Sequence, residues 1–213
     1  MESTALFPDI VGQTIAKKRM SFFLDGYNAS GIMPHLMFIA PKGCGKTTLA
    51  KAMAKSLKSG DSSRPYKTFL EINCSTIRNA KQFFNQIVIP HIHQKECTVL
   101  FDEASEMPKD VTMMLLTALN PNKDNRNSVT YEDYVADFDF RYQSFMFATT
   151  EAHQIFHALM DRCDRVDLEE YTYNELGRIV EVNIGEEYSF ADGLLDEIAP
   201  ILRGNARAAQ KMA

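Results

Sequence analysis

The stretch LMFIAPKGCGKTTLAKAMAKSL, residues 36–57, decides how the rest of the chain reads. Its first five residues are an apolar run of strand length, and from Thr47 onward Leu49, Met53 and Leu57 recur at i, i+4 and i+8, one apolar stripe of a helix. Between them lies the glycine turn of Pro41, Gly43, Cys44 and Gly45. A strand that turns through glycines straight into a helix is what a phosphate-binding loop requires. The backbone N–H groups of the turn and of the helix start, as far as Thr48, form a concave donor site for a nucleotide β-phosphate. Gly43 and Gly45 let the backbone approach, Lys46 supplies a cation for the β- and γ-phosphates, and the Thr47 hydroxyl is placed to ligate Mg²⁺. Ala40 stands where the usual spacing has glycine, so a small residue is kept there.

TVLFDEAS, residues 98–105, has a matching logic. An apolar run ends in Asp102 and Glu103, and at the carboxyl end of a buried strand beside the loop Asp102 can hold a Mg²⁺ water shell. Glu103 can then orient and deprotonate an attacking water. Two acids after an apolar run are weak evidence alone. They gain weight at roughly 40–60 residues beyond a phosphate loop.

Working outward, apolar runs recur at 68–73, 97–102, 144–149 and 165–168, with amphipathic segments at 76–89 and 108–119 between them. The second of these has Pro108 suited to a first helical turn. This alternation predicts an α/β fold, a parallel sheet with helices on both faces in three layers. After about residue 170 the pattern becomes helical only. Thr172 and Glu175 have capping-box spacing, a second helix is expected over 189–202 through Phe190 and Leu194, and a third begins at Asn205. The expected division is therefore a large domain over 1–169 and a small all-helical lid over 170–213. Residues 120–143 start polar and turn-rich and then place aromatic residues at Tyr131, Tyr134, Phe138 and Phe140, which predicts an inserted hairpin.

Composition narrows the classes. With 213 residues, 45% hydrophobic and 24% charged, the chain can bury a substantial core. A formal net charge of −5 argues against coating nucleic acid by bulk charge, so any such contact must be local. Cys44, Cys74, Cys97 and Cys163 lie far apart without a CxxC pair, which suggests neither a zinc site nor a disulfide framework and fits a reducing cytoplasm. No apolar stretch approaches the roughly 18 residues of a membrane span.

Taken together these motifs resemble the AAA+ family of P-loop ATPases, and within it the RuvB-like and clamp-loader-like branches. PDIVGQ (8–13) is similar to the box that sets Val11 and Gly12 against adenine. FATTEAH (147–153) is similar to the sensor 1 strand, with Thr150 where many relatives carry Asn. LMDRCDRVDL (159–168) resembles the arginine-finger segment, which makes Arg162 the residue that reaches a neighbouring subunit's γ-phosphate; Arg165 is the alternative, or a surface partner of the nearby aspartates. RGNARAAQ (203–210) resembles sensor 2, with Arg207 reporting the γ-phosphate to the lid. The resemblance implies ATP and Mg²⁺ as ligands, ATP hydrolysis as the activity, and a ring as the working assembly.

Three readings stay open at this level. A RuvB-like motor translocating DNA implies a homo-oligomeric ring, a hexamer, and a DNA-binding domain beyond the lid. A clamp-loader-type switch implies a pentamer with other subunits, and a nucleotide-dependent protein scaffold implies slow or absent turnover. In the RuvB-like branch a hairpin before sensor 1 docks a protein partner. Here residues 129–143 hold that position, and Glu132, Asp133, Asp137 and Asp139 suit a protein surface better than a phosphate backbone.

Overall fold

The structure is a computed structural model, and it describes residues 7–185, 191 and 193–213. Helix α1 (Thr14–Ser30) leads to strand β1 (Leu36–Ile39) and helix α2 (Lys46–Ala54). Then come β2 (Thr68–Asn73), α3 (Ala80–Phe83), β3 (Cys97–Asp102) and α4 (Lys109–Ala118). A hairpin of β4 (Arg126–Tyr131) and β5 (Tyr134–Asp139) precedes β6 (Gln143–Thr149), α5 (His157–Met160) and β7 (Asp164–Asp167). The chain closes with α6 (Tyr173–Ile184), α7 (Leu194–Ile198) and α8 (Ala206–Met212).

Five strands form a parallel sheet in the order β2-β3-β6-β1-β7. The strand alternation sorts the core onto two faces. Phe38, Leu100, Met146 and Val166 point to the side packed by α1 and α2. Met37, Val99, Phe101, Phe145 and Phe147 point to the side packed by α4, α5, the 76–92 segment and the hairpin. Every residue of β6 is buried, whereas β2 at the sheet edge is half-exposed. This is the three-layer α/β/α arrangement expected from the sequence. It brings the carboxyl ends of β1, β6 and β3 side by side, where ligands of open parallel sheets bind.

Beyond Leu168 a separate small core gathers Leu176, Ile179, Val180, Leu202, Ala206 and Ala209. The capping box at Thr172 and Glu175 is formed as expected and starts α6. The second lid helix is shorter than the sequence predicts: only Leu194–Ile198 is α-helical, followed by a 3-10 turn over Ala199–Leu202 in which Pro200 sits. The expected start at Ser189 and Phe190 lies outside the described residues.

Other expectations need correction. The helix predicted over 76–89 is a 3-10 turn at Cys74–Thr76, then the short α3, then a π-helix over Phe84–Ile92 with Pro90 inside it. Side-chain oxygens of Asn73 and Asn79 cap the first two of these and split the segment. Pro108 stands at the N-cap of α4, one place before the first turn. The hairpin starts at Arg126 and turns at Glu132 and Asp133, and its packed face buries Val129, Ala136 and Phe138. Tyr134 shares that face but lies past the edge of the body, 59% exposed.

All four cysteines are free, and burial pushes the thiols of Cys74, Cys97 and Cys163 up to about 12. No helix among the described residues is long and apolar enough to cross a membrane.

His35 sits edge-on to Phe140, with ring centroids 4.6 Å apart, and its Nδ1 has no hydrogen-bond partner among the described residues. Burial pushes its imidazole down to about 4. The unfolded imidazole takes its proton near 6.5, so the neutral ring's contribution is complete above that pH and is lost as the pH falls toward 4. The full loss is about 3 kcal/mol. Melting temperature should therefore drop between pH 6.5 and 5, before most carboxylates titrate, and His35→Phe should flatten that slope; an unchanged slope would show that another group governs it.

Candidate functional site

A cleft of about 590 Å³ opens at the carboxyl ends of β1, β3 and β6, between the sheet and the lid. The loop 40–45 forms its floor. Gly43 and Gly45 adopt left-handed backbone, with φ of 87° and 88°, which L side chains tolerate poorly. Space is equally restrictive at Gly43, where a Cβ would stand 2.1 Å from Asn205 Oδ1. That asparagine accepts from the backbone N–H groups of Arg207 and Ala208 and so caps α8. The Ala206 N–H donates to the Gly43 carbonyl at 3.1 Å, so the lid rests directly on the loop.

Lys46 opens α2 and points into the cleft. Its Nζ donates to the carbonyls of Ala40 (2.9 Å) and Pro41 (3.0 Å), leaving one of three N–H donors for a phosphate oxygen. Burial pushes this lysine below its ordinary value, the Asp102 carboxylate opposes the shift, and the Arg207 guanidinium adds to it. Arg207, from α8, lines the same cleft. Among the described residues neither cation forms an ion pair. The carboxylates of Asp102 and Glu103 line the same space, but neither cation is tied to one among the described residues, which leaves both available to a polyanion.

The Thr47 hydroxyl donates to Asp102 Oδ2 at 3.0 Å, so the two residues expected at Mg²⁺ meet. No group of three or more His, Cys, Asp or Glu that could hold a metal occurs among the described residues. One hydroxyl and one carboxylate fit a magnesium ion that draws its other ligands from phosphates and water. Glu103 follows Asp102 with φ of 53°, and its N–H donates to Asp102 Oδ1 at 2.9 Å. This left-handed conformation costs a non-glycine residue about 1–2 kcal/mol, and it turns the carboxylate out of the strand into the cleft.

At the end of β6 the two threonines divide. Thr149 is buried, and its Oγ1 accepts from the Glu151 N–H and meets Ser105 Oγ at 3.2 Å. Thr150 is exposed into the cleft. Val11 lines the cleft from the N-terminal side. Gly12, at φ 64°, is pressed against the lid, since a Cβ there would stand 2.3 Å from Glu175 Oε1. The cleft wall does not include Pro41, Cys44 or Gly12; Cys44 is buried and contributes backbone alone.

Arg162 lies outside the cleft, its Nη1 donating to the Ala158 carbonyl at 2.7 Å. Arg165 is held by Asp167 on the same strand, with both Nε and Nη2 at 2.7 Å from its carboxylate. Arg165 thus has the surface aspartate partner that the sequence offered as its alternative role.

Several residues of the site escaped the sequence reading. Gln13 is buried, and its side-chain amide pairs with the backbone of Glu169, donating to the carbonyl at 2.7 Å and accepting from the N–H at 3.1 Å. It ties the Val11 segment to the start of the lid. Tyr171 reaches the loop, its hydroxyl 3.0 Å from where a Gly45 Cβ would stand, and burial raises its phenol. Asn183 and Gln210 bring lid amides to the cleft. Asn205 alone had a local signal, as a cap residue two places before Arg207.

With this geometry in place, comparison with known proteins gives a consistent answer. Residues 36–171 match the ATPase family associated with various cellular activities (AAA). Replication factor C small subunits from Sulfurisphaera tokodaii and Saccharolobus solfataricus are 39% identical over 114 residues and 36% identical over 135. These alignments cover 50% and 60% of this chain, but 32% and 38% of the relatives. A Lon protease from Wolbachia pipientis is 29% identical over 156 residues, which is 67% of this chain and 18% of the protease. Among solved structures, a P216G mutant of RuvB from Thermotoga maritima superposes with a TM-score of 0.77 at 21% identity, over 95% of this chain and 62% of the other. Another from that species, described as the RuvB Holliday junction branch migration motor, gives 0.75, with the same identity and 60% of its chain covered. The chain thus spans less than two thirds of the length of these relatives and structures.

Proposed function

The chain belongs to the AAA family of ATPases, and from that premise we propose that it binds ATP in this cleft and hydrolyses it as one subunit of a ring that remodels or translocates DNA. One observation carries the reading: Lys46, from the start of α2, and Arg207, from the lid, converge on the same cleft as Glu103 and the linked Thr47–Asp102 pair, and neither cation has an ion-pair partner among the described residues. The loop amides and Lys46 hold the β- and γ-phosphates. Glu103 takes the proton of the attacking water, and Thr150 orients that water. Thr47 and Asp102 would hold Mg²⁺, which would supply neutralisation of phosphate charge. Arg207 draws the lid onto the phosphates, and Arg162 serves the cleft of the next subunit. Residues 1–169 form the ATPase domain and 170–213 its lid, the protein works in the cytoplasm, and the 129–143 hairpin docks a protein partner with its exposed tip.

A second reading, a clamp-loader-type ATP switch, has its own support. The replication factor C small subunits are 36–39% identical where they align, against 21% for the RuvB structures that share the fold. Electron microscopy of the protein with ATP and forked DNA separates the two. Six copies around a duplex, with DNA-stimulated hydrolysis, would support the motor. Recovery only as a minority subunit beside other chains would favour the switch, and ATP binding without turnover would refute both.

A further inference from the structure

The arginine assigned to the neighbouring cleft is not a free surface side chain. Its Nη1 donates to the Ala158 carbonyl at 2.7 Å, and its Nη2 stands 3.5 Å from Asn120 Oδ1. Its Nε is shut off from solvent without a partner among the described residues. A guanidinium is a rigid planar fork, so contacts at its two terminal nitrogens set the plane and direction of the whole group. Asn120 follows the last turn of α4, and what fixes Asn120 lies in the hairpin. Helix α4 ends with carbonyls that have no partner within the helix. Asn127, on β4, donates its side-chain Nδ2 to two carbonyls there, Ala118 at 2.8 Å and Asn120 at 2.7 Å. Its Oδ1 accepts from Asn122 Nδ2 at 2.7 Å, and Asn122 Oδ1 accepts from the N–H groups of Asp124 and Arg126. Two asparagine side chains, Asn122 and Asn127, therefore knit the 120–127 turn and hold the backbone of Asn120, whose side chain faces Arg162.

We propose that Asn120 and Asn127 are positioning residues for Arg162, so that the inserted hairpin sets the aim of the finger through the end of α4. The proposal rests on the reading of Arg162 as the residue that acts on the neighbour's γ-phosphate. Asn127 does not line the cleft. Its effect passes through the turn to the guanidinium, where a displacement near 1 Å is enough to slow phosphoryl transfer substantially.

The test is steady-state ATP turnover of the full chain, at concentrations where it assembles, together with fluorescent-ATP titration and melting curves. Asn127→Ala and Asn120→Ala should each lower kcat by roughly tenfold or more, with nucleotide affinity unchanged. Asn120→Asp, which keeps the acceptor facing Arg162, should stay near the wild-type rate. The decisive arm is the double variant. Residues that act through one group are non-additive, so Asn127→Ala placed in an Arg162→Ala background should slow turnover no further. An equal further loss in that background would make Asn127 a mere cap of α4 and overturn the proposal. Slow Arg162→Ala beside wild-type rates for both asparagine variants would overturn it too while leaving the finger standing. Wild-type turnover in Arg162→Ala would remove the finger and the proposal together. If Asn127→Ala melts below the assay temperature, the Asn120 pair carries the same outcomes.

Discussion

Glu103→Gln is expected to lower ATP turnover by about 10²–10⁴-fold, the usual weight of a positioned general base, while ATP still binds. The carboxylate sits at a strand end beside Asp102, which is linked to Thr47 and therefore engaged at the other side of the site. Of this adjacent pair, Glu103 is the carboxylate left to accept a proton. Gln keeps the length of the side chain and the left-handed backbone cost at φ 53°, so the folded geometry is preserved and only the basic oxygen is lost. Fluorescent-ATP titration should give an affinity within a few-fold of wild type, because the loop amides and Lys46 are untouched. Single-turnover hydrolysis should show the rate loss in the chemical step. A variant that hydrolyses at the wild-type rate would remove Glu103 from the mechanism, and one that no longer binds ATP would make it a structural residue of the cleft.

The pieces of this site were unequally legible in the sequence, for physical reasons. Strands buried on both faces are contiguous apolar runs, so β1, β3 and β6 lie within a residue of where the sequence puts them, and the more exposed edge strands β2 and β7 still carry enough apolar residues to be placed as closely. Lys46 and Thr47 were legible because they open a helix after the glycine turn that follows β1, and Asp102 and Glu103 because they stand where the apolar run of β3 ends. The helix expected over 76–89 is broken because Phe84, Val88 and Ile92 are buried in a π-helix over Phe84–Ile92 that winds more slowly than an α-helix. Pro90, which would clash with a carbonyl four residues back in an α-helix, sits in that wider turn. The joints between lid and sheet were not legible at all. Gln13 and Glu169 are 156 residues apart, and nothing in either neighbourhood announces that a side-chain amide will pair with a distant backbone. Gly43 shows the same limit: its glycine was read as room for a phosphate, yet the lid's Asn205 presses on it as well.

Arg162→Ala is the prediction with the largest expected effect, a fall in turnover of about 10³–10⁵-fold if the guanidinium offsets charge in the transition state of a neighbouring cleft. Affinity for ATP should hardly change, since Arg162 does not line the cleft of its own chain. The rate loss alone would not prove action between subunits, because a misfolded α5 turn would slow hydrolysis as well. Mixing resolves this. An Arg162→Ala chain keeps an intact Glu103 cleft but offers no finger, and a Glu103→Gln chain offers a finger but has an inactive cleft. Neither chain alone holds both groups, so action within one chain predicts that any mixture of the two stays inactive. Action across an interface predicts that equal mixing restores turnover. About a quarter of the head-to-tail interfaces then join a working cleft to a working finger. Recovery toward that fraction, absent at dilutions where the ring dissociates, would place Arg162 in its neighbour's reaction; an inactive mixture of stably assembled subunits would return it to its own chain.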